Sequence, residues 1–148
     1  MLNMLRIISQ EVNVAKDLPA ALTIIVKQVR AAMNSHVCSV YLYEADRDRY
    51  VLRATDGLKK RAVGKVSMPP HEGLVGLVGS RAETLILEDA MSHPRFRYFP
   101  ETGEERYASF LGTPIIHHRQ VVGVLVVQQK ERRQFDEGDE AFLVTMSA

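Results

Sequence analysis

The sequence predicts an α+β domain built on an antiparallel sheet. Two observations carry this. Two pairs of apolar, alternating segments are each joined by a short polar link, which is the pattern of a β-hairpin. They are preceded and followed by segments with helical spacing of apolar residues, and hairpin-joined strands with helices gathered around them indicate an antiparallel sheet rather than a parallel one. A third observation bounds the answer: 148 residues are enough for one core and too few for two domains of ordinary size.

The elements follow in order. Leu5, Ile8 and Val12 recur at helical spacing, and Met4, Ile7 and Val14 form a second stripe. Two stripes on one terminal helix fit either a wide core face or a core face plus a face for a partner. Asp17 is an N-cap residue and Pro19 belongs to a first turn, where its missing N–H costs nothing. Leu22, Ile25, Val29 and Met33 then define one face of a helix that ends near Asn34 and Ser35. Val37 to Tyr43 reads as a strand, with Cys38, Val40 and Leu42 on one face and Ser39, Tyr41 and Tyr43 on the other. Asp46 to Asp48 makes the turn into a second strand, Tyr50 to Ala54. A basic loop with Lys59, Lys60 and Arg61 follows, then a short strand near Lys65 to Met68, stopped by Pro69 and Pro70.

The tract Glu72 to Ala82 is apolar and helical despite Gly73, Gly76 and Gly79. Interior glycines each cost about 1 kcal/mol relative to alanine, so three on one side predict close approach to a sheet or a ligand. Thr84 to Leu87 is a short strand. Residues 88–108 form a long irregular stretch with one turn of helix expected near Glu104 to Tyr107; a segment of that length and aromatic content points to function rather than disorder. Ser109 to Ile116 and Val121 to Gln129 are the two strongest strands, linked through His117 to Gln120. Asp136 caps a last helix containing Phe142, Leu143 and Met146, and the absence of a stop signal before Ala148 predicts continuation into a longer protein.

Composition narrows the chemistry. The 19 basic and 18 acidic side chains leave a net charge of +1, and tryptophan is absent, which argues against a nucleic-acid binder. The single cysteine, Cys38, forms no internal disulfide and indicates a reducing, cytoplasmic setting. Apolar runs fall short of a membrane span. His117 and His118 are adjacent on a strand end and are expected on opposite faces, so they cannot share a metal. The remaining histidines, His36, His71 and His93, lack partners at metal-ligand spacing. Cys38 is expected to be a buried small hydrophobe. No nucleophile elbow, triad or paired-carboxylate motif is evident, so nothing in the residues rises to a catalytic claim. The tract His93-Pro94-Arg95-Phe96-Arg97-Tyr98-Phe99 alternates cations with aromatic rings. Its arginines either bind carboxylates through paired hydrogen bonds or remain solvated while the rings anchor the loop.

The tracts Glu72 to Gly76, Glu88-Asp89-Ala90, His93 to Phe96, Ser109 to Ile115 and Val122 to Leu125 resemble GAF domains across essentially the whole chain. The run Arg97 to Arg106 and Val126-Val127-Gln128-Gln129 resemble, more narrowly, the GAF domain at the N-terminus of nitrogen-branch phosphoenolpyruvate-protein phosphotransferases. This resemblance implies a six-stranded antiparallel sheet of the GAF/PAS type, residues 1–148 as one regulatory domain, and a pocket roofed by the long loop. It implies a glutamine- or 2-oxoglutarate-class effector, with Ser39, Tyr41, Arg95, Phe96, Arg97, Tyr98, Phe99, Tyr107 and Ser109 as expected ligand contacts. It also implies a homodimer, no cofactor in this domain, Mg2+ only in the parent's catalytic domain, and contact with a phosphocarrier protein through the parent's other domains. The motif of cyclic-nucleotide GAF domains is missing, and one cysteine is too few for a free-methionine sulfoxide reductase. The rival expectation is a ligand-free dimerisation module.

Overall fold

The computed structural model describes residues 17–96 and 107–147. The stripes at Leu5–Val12 and Met4–Val14 lie outside these residues, as does most of the expected turn at Glu104 to Tyr107. Helix α1 spans Leu18–Met33. Strands β1 (Val37–Glu44) and β2 (Arg49–Asp56) form the first hairpin. A 3-10 turn at Lys60–Ala62 leads to β3 (Ser67–Met68), then α2 (Gly73–Arg81) and β4 (Leu85–Leu87). A second 3-10 turn, Ala90–Ser92, precedes the strands β5 (Ser109–His117) and β6 (Gln120–Gln129), and α3 (Glu137–Met146) follows.

The six strands form one antiparallel sheet in the order β3-β2-β1-β6-β5-β4. Its centre is the pair β1–β6, with Val37 opposite Gln128 and Tyr41 opposite Val124. Alternation along β1 sends its side chains to two separate cores. Val37 and Tyr41 join Tyr50, Leu52, Val75, Val78, Phe110 and Val126 under α2. Cys38 and Val40 join Val26, Val29, Leu111, Leu125, Phe142 and Leu143 under α1 and α3. A register shift between Val40 and Tyr41 lets β2 follow the sheet's twist, as a β-bulge does.

Helix ends are closed as their residues require. The Asp17 carboxylate accepts the Ala20 N–H at 2.9 Å, and Asn34 ends α1 in the left-handed conformation that asparagine tolerates. Asp136 and Asp139 form a reciprocal capping box at the start of α3. The expectation of close approach is met at two of the α2 glycines, Gly76 and Gly79, by backbone and ring contacts. A Cβ on Gly76 would collide with the Pro69 carbonyl, and one on Gly79 would collide with the Tyr50 ring.

One expectation about the second hairpin is corrected. His117 and His118 do not point to opposite faces: their ring centroids are 4.0 Å apart. His118 and Arg119 have φ of 50° and 66°, and this left-handed turn breaks strand alternation and swings one ring against the other. Among the described residues no three His, Cys, Asp or Glu side chains are grouped to hold a metal ion, and no helix is long and apolar enough to cross a membrane.

Candidate functional site

The sheet face under α2 carries a strip of polar side chains inside an apolar cluster. Ser39 on β1 is fully buried, and its Oγ lies 2.9 Å from the Thr55 Oγ1 of β2. Thr55 also accepts the Leu58 N–H at 3.3 Å, which ties the strip to the loop after β2. Gln128 of β6 is 5% exposed and stands opposite Val37 and Phe110, both members of the same cluster. Three adjacent strands thus contribute one buried polar group each to a surface otherwise made of Val, Leu and aromatic side chains.

Of the residues expected to line a pocket, Ser39 and Tyr41 lie on this face and are buried. Tyr107 joins them, with its hydroxyl donating to the Gly57 carbonyl at 3.5 Å. Phe96 packs against the same cluster while half-buried. Arg95 is exposed beside it: Nη1 donates to the His71 carbonyl at 2.6 Å, and the backbone N–H donates to His93 Nδ1 at 3.0 Å. His71 immediately precedes Glu72, the N-cap of α2, so this contact holds the guanidinium near the positive end of the helix dipole. Arg97, Tyr98 and Phe99 lie outside the described residues.

Ser109 is not brought to this group. It pairs with Gln129, and its hydroxyl faces the segment leading into α3, where it accepts the Arg133 N–H and donates to the Glu131 carbonyl, both at 2.6 Å. Sequence reasoning passed over Thr55 and Gln128. Their signal was a polar residue in phase with Ser39 or ending an apolar run, and it acquires meaning only once β2, β1 and β6 are known to be neighbours.

The electrostatics around the face are one-sided. Lys59, Lys60, Arg61 and Lys65 are exposed on the loop whose Leu58, Ala62 and Val66 insert into the cluster, and none makes an ion pair among the described residues. Rigid backbone bonds hold that loop, including Gly64 N–H to Leu52 carbonyl at 2.7 Å and Leu52 N–H to Val66 carbonyl at 3.0 Å. Cys38 lies on the opposite face with no solvent exposure. Burial drives its thiol far above the usual range, helped by the nearby Asp56 carboxylate and opposed by Arg30, so it supplies no nucleophile.

The GAF domain profile matches residues 17–148. The chain belongs to the GAF domain family. This GAF domain is 52% identical over 147 residues to a protein of Escherichia coli (strain K12) described as "Phosphoenolpyruvate-dependent phosphotransferase system"; the match covers 99% of the chain and 20% of the relative, so the chain spans about a fifth of its length. Two solved GAF domains of phosphoenolpyruvate-protein phosphotransferases superpose closely. The one from Acinetobacter gives a TM-score of 0.90 at 47% identity, covering 99% of this chain and 87% of that chain. The one from Coxiella burnetii gives 0.93 at 44% identity with the same coverage.

Proposed function

We propose that this GAF domain binds a small acidic metabolite of the glutamine or 2-oxoglutarate class and thereby regulates a phosphoenolpyruvate-protein phosphotransferase of which it is the N-terminal part. The single observation that carries the reading is the buried polar strip Thr55–Ser39–Gln128 on the sheet face whose apolar cluster Tyr107 joins and Phe96 packs against, with the exposed Arg95 next to Phe96 in the chain. Apolar walls with a few placed polar groups are the usual make-up of a metabolite site. Arg95, and Arg97 in the same tract, provide guanidinium donors for a carboxylate, and the unpaired cations of the basic loop raise the local concentration of an anionic ligand. In this reading the domain needs no cofactor, meets neither nucleic acid nor membrane, and works in the cytoplasm. Mg2+ and the phosphocarrier protein belong to the parent's other domains, and the domain itself takes no phosphoryl group.

Calorimetry against glutamine, 2-oxoglutarate and cyclic nucleotides tests this. Binding of one of the first two, weakened several-fold or more by Arg95→Ala or Arg97→Ala, is the expected result. Identical binding by both variants removes the arginines from the site. Labelled phosphoenolpyruvate is expected to leave all five histidines unmodified.

A second reading, a homodimerising module, is favoured by one observation. Between α1, α3 and the β5–β6 hairpin runs an apolar groove of about 490 Å³, lined by Leu18, Leu22, Ile25, Leu42, Ile115 and Met146. Leu18 is 61% exposed at its edge. Sedimentation across a wide concentration range, with Leu18→Glu and Ile7→Glu as variants, separates a dimer built on these helices from a monomeric sensor.

A further inference from the structure

Four cations stand within seven residues of the loop after β2: Lys59, Lys60, Arg61 and Lys65. The whole chain carries a net charge of only +1, so this stretch is a local excess and not part of a generally basic surface. All four are exposed, and none makes an ion pair among the described residues. Four arginines elsewhere, Arg30, Arg53, Arg132 and Arg133, each meet a carboxylate. Two carboxylates of the hairpin before the loop are thereby taken, Asp56 by Arg30 at 2.8 Å and Glu44 by Arg53. The loop's path is fixed from beneath. Leu58, Ala62 and Val66 are buried in the α2-side cluster, and Lys60–Ala62 is a 3-10 turn. The N–H groups of Lys65 and Val66 both donate to the Ala62 carbonyl, at 2.9 and 3.0 Å. Charges held in a fixed array suit recognition of a complementary surface.

We infer that this loop is a docking surface, and that its partner is an acidic face on the later domains of the same phosphotransferase. The chemistry narrows the partner. The loop's apolar side chains, Val63 included, pack against the cluster, so the loop offers nothing to insert among lipid tails. From Leu58 to Val66 there is no aromatic or amide side chain to stack on bases or read their edges. What faces outward is ammonium and guanidinium, which are matched by the carboxylates of a protein. The chain spans about a fifth of the length of its Escherichia coli relative. A partner within the same polypeptide is held at high effective concentration, so a modest charged surface is enough to engage it. An effector alters phosphoryl transfer only through a difference in how the sensing and catalytic parts interact, and such a difference requires a surface of this kind. The inference rests on the regulatory half of the proposed function and is independent of where the effector binds.

The test is zero-length carbodiimide crosslinking of the full-length phosphotransferase, read by peptide mass spectrometry. Lys59, Lys60 or Lys65 is expected to link to an aspartate or glutamate beyond residue 148. Salt at 1 M, where the Debye length is about 3 Å, is expected to cut the yield several-fold. Arg61→Glu combined with Lys65→Glu is expected to lower the yield at Lys59 and Lys60 by a similar factor at an unchanged melting temperature. Should that pair melt lower, Arg61→Gln with Lys65→Gln takes its place. Links confined to residues 1–148, or no links, overturn the inference. Links that persist unchanged in high salt and in the variant show proximity without charge recognition and also overturn it. Retention of the protein on an oligonucleotide or on anionic vesicles through these cations, without links to later domains, assigns the loop to another partner and overturns it as well. The rate of phosphoryl uptake from labelled phosphoenolpyruvate, with and without glutamine or 2-oxoglutarate, separates the two proposals. A rate indifferent to both metabolites, with charge-dependent links still formed, overturns the proposed regulation and leaves the docking surface standing.

Discussion

The Ser109 hydroxyl accepts the backbone N–H of Arg133 at 2.6 Å, and this one bond joins the start of β5 to the approach to α3. Arg133 extends the tie. Its Nη1 donates to the Met33 carbonyl at the end of α1 at 3.0 Å, its Nη2 donates to Asp139 in the first turn of α3 at 3.3 Å, and its guanidinium lies 4.7 Å from the Phe135 ring centroid. Arg132 adds an ion pair at 3.0 Å to Asp89, in the segment that connects β4 to β5. Both helices on one face of the sheet are therefore fastened at one end to the start of β5.

Replacing Ser109 with alanine is expected to destabilise the domain by about 1–2 kcal/mol, because the part-buried Arg133 N–H and Glu131 carbonyl lose their shared partner. Ligand affinity is expected to stay near the parent value. Urea unfolding combined with calorimetry separates the two effects; a loss of affinity at unchanged stability would return Ser109 to the binding site.

Gly79→Ala is expected to cost about 1–3 kcal/mol, the usual range for overpacking. Its new methyl group would occupy the space of the Tyr50 ring and hydroxyl. A double-mutant cycle with Tyr50→Leu is expected to show that the smaller side chain recovers part of the loss. Purely additive costs would mean that the helix, not the ring, resists the substitution.

Cys38 is expected to resist thiol reagents in the native state. It has no exposed surface, and desolvation keeps the thiol protonated well past the normal range. Labelling by a chromogenic disulfide reagent at pH 8 is expected only at the rate of unfolding, and rapid stoichiometric labelling of the folded protein would contradict the burial argument.

The first hairpin is expected to weaken in acid. A hydrogen bond from Arg53 to Glu44, reinforced by the charges of Arg53 and Arg47, holds the Glu44 carboxyl below its usual range. The folded value is thus lower than the unfolded one. The pair's contribution is complete above the ordinary carboxylate range and is lost as pH falls through the depressed folded value. Glu44→Gln is expected to flatten the acid limb of the stability curve, and 1 M salt to shrink the difference between parent and variant. An acid limb identical in parent and variant at low salt would exclude this pair as a source of the pH dependence.

Local physics made a large part of the fold legible in the sequence. Alternation from Val37 to Tyr43 assigned Cys38 and Val40 to one face and Tyr41 to the other, and the two clusters divide β1 in that way. Helical spacing identified Leu22, Val29 and Met33 as the inner face of α1, and Asp17 and Asp136 as caps. These features depend on neighbours a few residues away, so the sequence alone determined them. Tertiary structure decided whatever depends on which distant strands meet. β1 lies beside β6, about 90 residues later, and only that pairing places Gln128 on the face of Ser39 and Tyr41. The hydroxyl of Ser109 could have faced a ligand or a backbone amide; the path of the chain after β6 delivered the amide of Arg133. The histidines at the second hairpin were judged by strand periodicity, and a left-handed turn at His118 and Arg119 replaced that periodicity with a ring contact. A residue's periodicity states which side of its own element it occupies, but its partner is set by the closure of long loops, which pattern within a segment does not encode.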